Sequence, residues 1–446
     1  MKFLKVKKFV SAVCLFLVIA SVVGSAQDVL ISRSDIDSQF IPGFYEEREN
    51  SLDAVYIGSS NCYTTWNSAF AFKEHGICVY PYSSNGQPFY ASRYLIEEAR
   101  KTQKDAVFVV NINTVFDDTV PFDHFHNLIN VMPGSLTKLR MINHLCYMGG
   151  YSIEDSWEFY FPFVRFHSRW DNIRAKDFQM VPSTLKGAST THRYLDWSSN
   201  VTKKFVTSDK VGELPEKIEK SINDMLDYCE KEKLKVLFVT IPQAVEEKSR
   251  IERYNAVNEL ISSRGFDTLR LENKLEEIGL NLKVDYYNGE HTNIHGSLKF
   301  TDYLSKYLIE KYGFKDKRED ESYNDWHLAL EEYSDIANVK VLPYEYKLSQ
   351  RDYDMDITKL RSEVGDGEIE LTWDEVEEAD GYLLYRKKKE SYKWRKLTVV
   401  EDTSYVDTDV TTGKGYSYYY ALVPIREEKG TRYYGDAYYN GKKVKT

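Results

Sequence analysis

In the stretch Asp53-Ala54-Val55-Tyr56-Ile57-Gly58-Ser59-Ser60-Asn61-Cys62-Tyr63-Thr64-Thr65-Trp66, one periodicity gives way to another. The apolar run after Asp53 reads as a buried strand and stops at Gly58. A helical pattern of Trp66, Ala69, Phe70 and Phe72 begins within six residues, so Ser59 and Ser60 are expected on a tight strand-to-helix turn. In an open α/β sheet such a turn lies at the carboxyl end of a strand, where ligands bind, and the amides of a helix start favour developing negative charge. A serine there can be a nucleophile. A serine before a helix is also an ordinary cap, so this stretch alone leaves both uses open.

Outward from that turn the same alternation recurs. A helix to about His75 leads to the strand Ile77–Pro81 and the turn-rich Ser83-Ser84-Asn85-Gly86-Gln87-Pro88. A helix carrying Tyr94, Leu95, Ile96 and Ala99 then precedes the continuous apolar strand Ala106–Val110. Strand, helix, strand, helix, strand is the signature of a parallel sheet. From about 114 to 213 the rhythm breaks into aromatic and polar segments, read as a helical insertion or cap. The sheet resumes after Pro215 with the stripe Ile218, Ile222, Met225, Leu226 and Cys229, the strand Leu234–Ile241, a helix to Gly265 and the strand Thr268–Leu271. The expectation is an α/β domain over 51–335 with a doubly wound, flavodoxin-like parallel sheet.

A charge-dense linker, 336–356, separates this from residues 357–446, where alternation has period two. Ile369–Trp373, Gly381–Tyr385, Lys393–Leu397, Thr403–Asp407, Tyr416–Leu422 and Tyr433–Tyr439 read as the strands of an all-β sandwich. On Leu371-x-Trp373, Ala379-Asp380-Gly381-Tyr382-x-x-Tyr385 and Tyr416-x-Tyr418-x-Tyr420-Ala421 the segment resembles a fibronectin type III domain, which implies a spacer or adhesion module. Arg386-Lys387-Lys388-Lys389 reads as a solvated hairpin tip.

At the other end, Lys2, Lys5, Lys7 and Lys8 precede the uncharged run Phe9–Ala26, so residues 1–26 are read as a signal peptide or a retained membrane anchor, with the remainder extracytoplasmic. The 446 residues are 42% apolar and carry a net charge of −10 with both signs interspersed, which argues against a nucleic-acid partner. Cys62, Cys78, Cys146 and Cys229 are too few and too scattered for a disulfide framework or a zinc site; Cys62 and Cys78 flank one strand-helix-strand turn, and spacing does not decide whether they pair.

The chemistry is concentrated in a second, distant loop, Asp285-Tyr286-Tyr287-Asn288-Gly289-Glu290-His291-Thr292-Asn293-Ile294-His295-Gly296, which leads directly into a helix. If the sheet is doubly wound, this loop and the Gly58 turn face one crevice. A serine hydroxyl needs a base to take its proton, and histidine titrates in the right range. With Gly58-Ser59-Ser60, Gly86, Asn113 and Asn288-x-x-His291 as its four blocks, the chain resembles the SGNH (GDSL-type) hydrolases over about Ser51–Tyr312. More narrowly it resembles the branch that contains the D-alanyl-lipoteichoic acid biosynthesis protein and secreted proteins of anaerobic Gram-positive bacteria. The stretch His167-Ser168-Arg169-Trp170 and the tail Tyr312–Trp326 look like parts of that group.

The resemblance implies an extracytoplasmic serine esterase or O-acyltransferase for acylated cell-wall polymer or glycan, without cofactor or metal. Ser60 would attack the ester, and His291 would be the base and then the acid. The amides of Ser60 and Gly86 with the Asn113 side chain would hold the oxyanion. Two departures stand out. The family has Asp where this chain has Asn288, so Asp285, preferred here, or Glu290 would orient His291, unless a Ser-His dyad operates or the site is inactive. The third block has Asn111 in place of glycine. Ser59 is the alternative nucleophile if the register slips by one. His295 is read as capping or packing at the following helix, Asp123-His124-Phe125-His126 as a solvated extended loop rather than a metal site, and Asn200-Val201-Thr202 as an accidental glycosylation motif.

Overall fold

The computed structural model describes the chain apart from residues 1, 32–36, 116–120, 174, 179–184, 192–205, 245, 281, 283–284, 330–354, 356–358, 389–394, 429–430 and 435–441. Strands β1 (Ala54–Gly58), β2 (Val79–Ser83), β3 (Val107–Asn111) and β4 (Val236–Thr240) are buried at every residue, and β5 (Asp267–Arg270) forms an edge. They pair in parallel in the order β2-β1-β3-β4-β5. Because successive side chains point to opposite faces, Val55 and Ile57 enter one core with Tyr80, Phe108 and Phe238, while Ala54 and Tyr56 enter a second with Val107, Val109 and Leu237. The helices Ser92–Ala99, Glu216–Lys231 and Lys248–Ser263 cover the first face; Ser68–His75 and Ile294–Tyr312 cover the second. The doubly wound parallel sheet is therefore present. Its direction reverses between β1 and β3, which puts the crevice beside the turn after Gly58.

The helix expected from Trp66 onward is two helices. One starts at Ser60 itself and ends at Thr65; Trp66 is extended, and Asn67 then caps Ser68–His75 by accepting from Phe70 N at 2.9 Å. At the strand end, Gly58 lets the Asn111 and Cys62 side chains approach the backbone closely. A Cβ there would lie 2.7 Å from Asn111 Cβ and 2.5 Å from Cys62 Sγ. Gly58→Ala is expected to destabilise the fold by about 1–3 kcal/mol, the usual cost of overpacking, read as a lower urea midpoint at unchanged slope.

Cys62 and Cys78 are both free and buried. They do not pair, because Cys62 packs into one core of the sheet and Cys78 into the other. Between 114 and 213 the described residues include the helices Phe122–Ile129, Leu136–Gly149, Ile153–Tyr160 and Pro162–Phe166. The extended reading of Asp123–His126 is corrected: helical spacing sends Phe125, Leu128 and Ile129 into the core, and His126 faces Glu158 at 3.6 Å. The motif at 200–202 lies outside the described residues, as does the linker 336–356 apart from Met355, which packs into the sandwich.

The N-terminal helix Lys2–Leu30 ends against this cap, where the Arg169 guanidinium donates to Leu30 O. Among the described residues no helix is long and apolar enough to cross a membrane.

The C-terminal unit has two antiparallel sheets. One is β10-β7-β6, built from Leu360–Val364 (β6), Ile369–Trp373 (β7) and Ser404–Asp407 (β10). The other is β12-β11-β8-β9 with β13 on β11, built from Gly381–Lys388 (β8), Arg395–Val400 (β9), Ser417–Glu428 (β11), Thr431–Tyr434 (β12) and Lys442–Lys445 (β13). Trp373, Tyr382, Tyr418 and Tyr420 form its centre. The solvated-tip reading of Arg386 is corrected: its guanidinium is buried, donating to both carboxylate oxygens of Asp407 at 2.8 and 2.7 Å. Lys387 lies over the Tyr419 ring, and Lys389 is outside the described residues.

Candidate active site

The loop 285–296 is closed on itself before it meets the serine. Tyr286 bridges Thr292, Tyr287 N donates to His291 O at 3.0 Å, and Asn293 N donates to Asp285 O at 2.9 Å. Gly296 completes the fold, since a Cβ there would lie 2.3 Å from Asp285 O. Two ties fix the loop to the sheet: Tyr286 OH donates to Pro242 O beyond β4, and Thr292 Oγ1 donates to Thr64 O on the serine helix. Asn293 caps the helix Ile294–Tyr312, accepting from His295 N and Gly296 N.

This construction places His291 Nε2 2.6 Å from Ser60 Oγ across 231 residues of sequence. The roles of the atoms follow from the second nitrogen. Asn288 Oδ1 accepts from Glu290 N and His291 N, both at 2.9 Å, so the atom facing them is the oxygen and not the amide nitrogen. It also lies 3.0 Å from His291 Nδ1, which therefore carries the proton. Nε2 is left as acceptor and the Ser60 hydroxyl as donor, the arrangement a general base requires. The Tyr287 ring stacks on the imidazole at 5.5 Å and 13°, which fixes its plane.

Burial lowers the pKa of His291 to about 4, so the base is neutral at pH 7. The rate at which a fluorophosphonate labels the protein is expected to stay level as pH falls from 7.5 to 5 and to drop only near 4, where Nε2 takes a proton. Intrinsic tryptophan fluorescence at each pH checks that the fold persists. An acid limb centred near 6.5 would contradict this.

The other expected site residues divide. Asp285 does not take the orienting role preferred from sequence: its buried carboxylate pairs with Lys299 Nζ at 2.8 Å, while the position three residues before His291 holds the imidazole. Glu290 is exposed and gives only its backbone amide to Asn288. Ser59 is the residue before the helix and donates to Asn61 Oδ1, and the hydroxyl that faces His291 is that of Ser60. Asn113 commits both ends of its carboxamide to the scaffold. Its Oδ1 accepts from Asn111 Nδ2 and Ile241 N, and its Nδ2 donates to Ile241 O, clamping the loop after β3 to that after β4 where the resemblance expects an oxyanion donor. Gly86 adopts a left-handed φ of 63°, and a Cβ there would lie 2.0 Å from His124 Nδ1, so the cap helix leans on this loop. His295 has its pKa lowered to about 4, first by burial and then by Lys299.

Sequence reasoning assigned no role to Tyr287 or Thr292, whose only signal is adjacency to His291. It also passed over Glu246 on the loop after β4, pushed up to about 7 by burial, with Glu290 and Glu272 adding to the effect. Among the described residues no group of three or more His, Cys, Asp or Glu side chains is arranged to hold a metal ion.

No protein-family model and no curated protein matches the chain. Among solved structures, a protein of Bacteroides fragilis described as a candidate acylhydrolase is similar over 62% of this chain and 99% of that one, at 11% identity and a TM-score of 0.32. A Fn3-like protein from Clostridium thermocellum is similar over 19% of this chain and 90% of that one, at 22% identity and a TM-score of 0.16. Titin kinase with its flanking domains is similar at 17% identity and a TM-score of 0.17, and there this chain spans 16% of that structure and 19% of itself is covered. Identities and TM-scores at this level leave the fold to be read from the strand order and the site from its hydrogen bonds.

Proposed function

We propose that this chain is an extracytoplasmic serine esterase or O-acyltransferase of the SGNH type, acting on an acylated cell-wall polymer or glycan, with a fibronectin type III module as spacer. The observation that carries the reading is the relay Ser60 Oγ, His291 Nε2, His291 Nδ1, Asn288 Oδ1. Ser60 Oγ attacks the ester carbonyl as its proton passes to Nε2. The carbonyl electrons move to the oxygen, which the backbone amides of Ser60, at a helix start, and Gly86 receive. Collapse expels the alkoxide, which takes the proton from Nε2 and leaves an acyl-serine. Water or a sugar hydroxyl then attacks the acyl-serine carbonyl as its own proton passes to Nε2, and collapse expels Ser60 Oγ, which takes that proton back, giving hydrolysis or transfer from the same intermediate.

Asn288 supports a second reading, an inactive SGNH scaffold at the cell surface that binds glycan, because a neutral amide orients the imidazole without stabilising the imidazolium. Covalent labelling by a fluorophosphonate separates the two. Labelling of the wild-type chain at pH 7.5 is expected for the enzyme; absence of labelling across pH 5–9 would leave the binding protein.

A further inference from the structure

The cap carries an apolar face that the core does not use. Trp170 is 73% and Phe178 65% exposed, and Trp157, Phe161, Phe163 and Val164 are each about half exposed. The rings of Trp157 and Phe161, one helical turn apart, stack at 5.5 Å on the outside. Scattered apolar residues on a surface are ordinary, but seven large exposed ones, Ile173 at 39% included, lie within 22 residues of sequence on short helices that pack against one another, a concentration of the kind that marks a contact surface.

What lies beside the patch identifies its occupant. The N-terminal helix Lys2–Leu30 ends on the same elements. Gln27 Oε1 accepts from Phe163 N at 3.3 Å, Leu30 O accepts from Arg169, and the helix packs against Pro162–Phe166 and Ala175–Phe178. Toward its start this helix exposes Phe9, Leu15, Val18, Ile19 and Val22, and its first turns carry Lys2, Lys5, Lys7 and Lys8. An apolar helix with a basic end, joined to a face rich in tryptophan and phenylalanine, is the composition that a lipid surface rewards: aliphatic side chains below the headgroups, indoles among them, and lysines against anionic lipid.

We propose that the cap face rests on a phospholipid bilayer, with Trp157, Phe161, Trp170 and Phe178 in the headgroup layer, continuing the apolar surface of the N-terminal helix. The helix and the patch then make two contacts with one membrane, which holds the domain in a fixed orientation above it. This is independent of the chemistry at Ser60 and stands or falls separately from it.

The test uses the full chain reconstituted into phosphatidylcholine–phosphatidylglycerol vesicles whose acyl chains carry bromine near the headgroup. Bromine-dependent quenching of tryptophan emission is expected in the wild type, and the doubly substituted Trp157→Phe, Trp170→Phe chain is expected to lose most of it, since Trp66, Trp326 and Trp373 are buried in the protein. Far-UV circular dichroism and the thermal midpoint, unchanged for these exposed conservative substitutions, show that both chains are folded. Equal quenching in the two chains, or none in either, would overturn the proposal. So would a concentration-dependent dimer of the wild type that Trp157→Ser, Phe161→Ser abolishes while lipid quenching is absent, which would make the face a self-association surface.

Discussion

Ser60→Ala is expected to abolish covalent labelling by a fluorophosphonate and to cut ester turnover toward the roughly 10⁶-fold loss that removal of a serine nucleophile produces in a protease. The cause is local: Ser60 Oγ is the atom 2.6 Å from His291 Nε2, and alanine leaves the imidazole with no proton to take. Ser59→Ala should retain labelling, because the Ser59 hydroxyl is turned toward Asn61 Oδ1. Intact-mass measurement after labelling of the three chains checks both statements. Labelling that survives in Ser60→Ala and disappears in Ser59→Ala would put the nucleophile one residue earlier and break the proposed relay.

Asn288→Asp is expected to raise turnover, by as much as roughly 10⁴-fold, the factor separating Asp from Asn at the equivalent place in a serine protease triad. The substitution is close to isosteric, and Asn288 Oδ1 acts only as an acceptor in its three contacts, with Glu290 N, His291 N and His291 Nδ1, so a carboxylate oxygen can hold all of them. Its charge would stabilise the imidazolium formed as Ser60 attacks and lift the His291 pKa from about 4, moving the acid limb of the rate profile upward. Rate and limb should therefore move together. A faster enzyme with an unmoved limb would show that the carboxylate acts elsewhere, and a rate unchanged from wild type would show that imidazolium stabilisation does not limit turnover.

Much of the framework was legible before any coordinates. The apolar runs around Val55, Val107 and Val236 had the length and β-branched content of strands buried on both faces, and the intervening 3.6-residue stripes could only be their covering helices. Ser60 and His291 were legible as candidates because each lies where a strand or loop gives way to a helix. Their partner was less so. Asp285 was the natural choice by charge, but the loop folds back through Tyr286–Thr292 and Asn293–Asp285, which turns that carboxylate to Lys299 and leaves Asn288 under the imidazole. Arg386 was misread for a similar reason: a run of cations looks solvated until the carboxylate that buries one of them, Asp407, arrives from another strand.

By itself the sequence determined the sheet, the sandwich and the two loops that carry chemistry, because strand and helix periodicity, turn residues and capping side chains act over a few neighbouring positions. The tertiary structure alone decided which serine meets the histidine, which side chain holds its other nitrogen, and that Cys62 and Cys78 stay apart on opposite faces of the sheet. Those are contacts of a few ångströms between residues tens to hundreds of positions apart. They depend on how the loops close after the sheet is built, and local pattern carries no record of it.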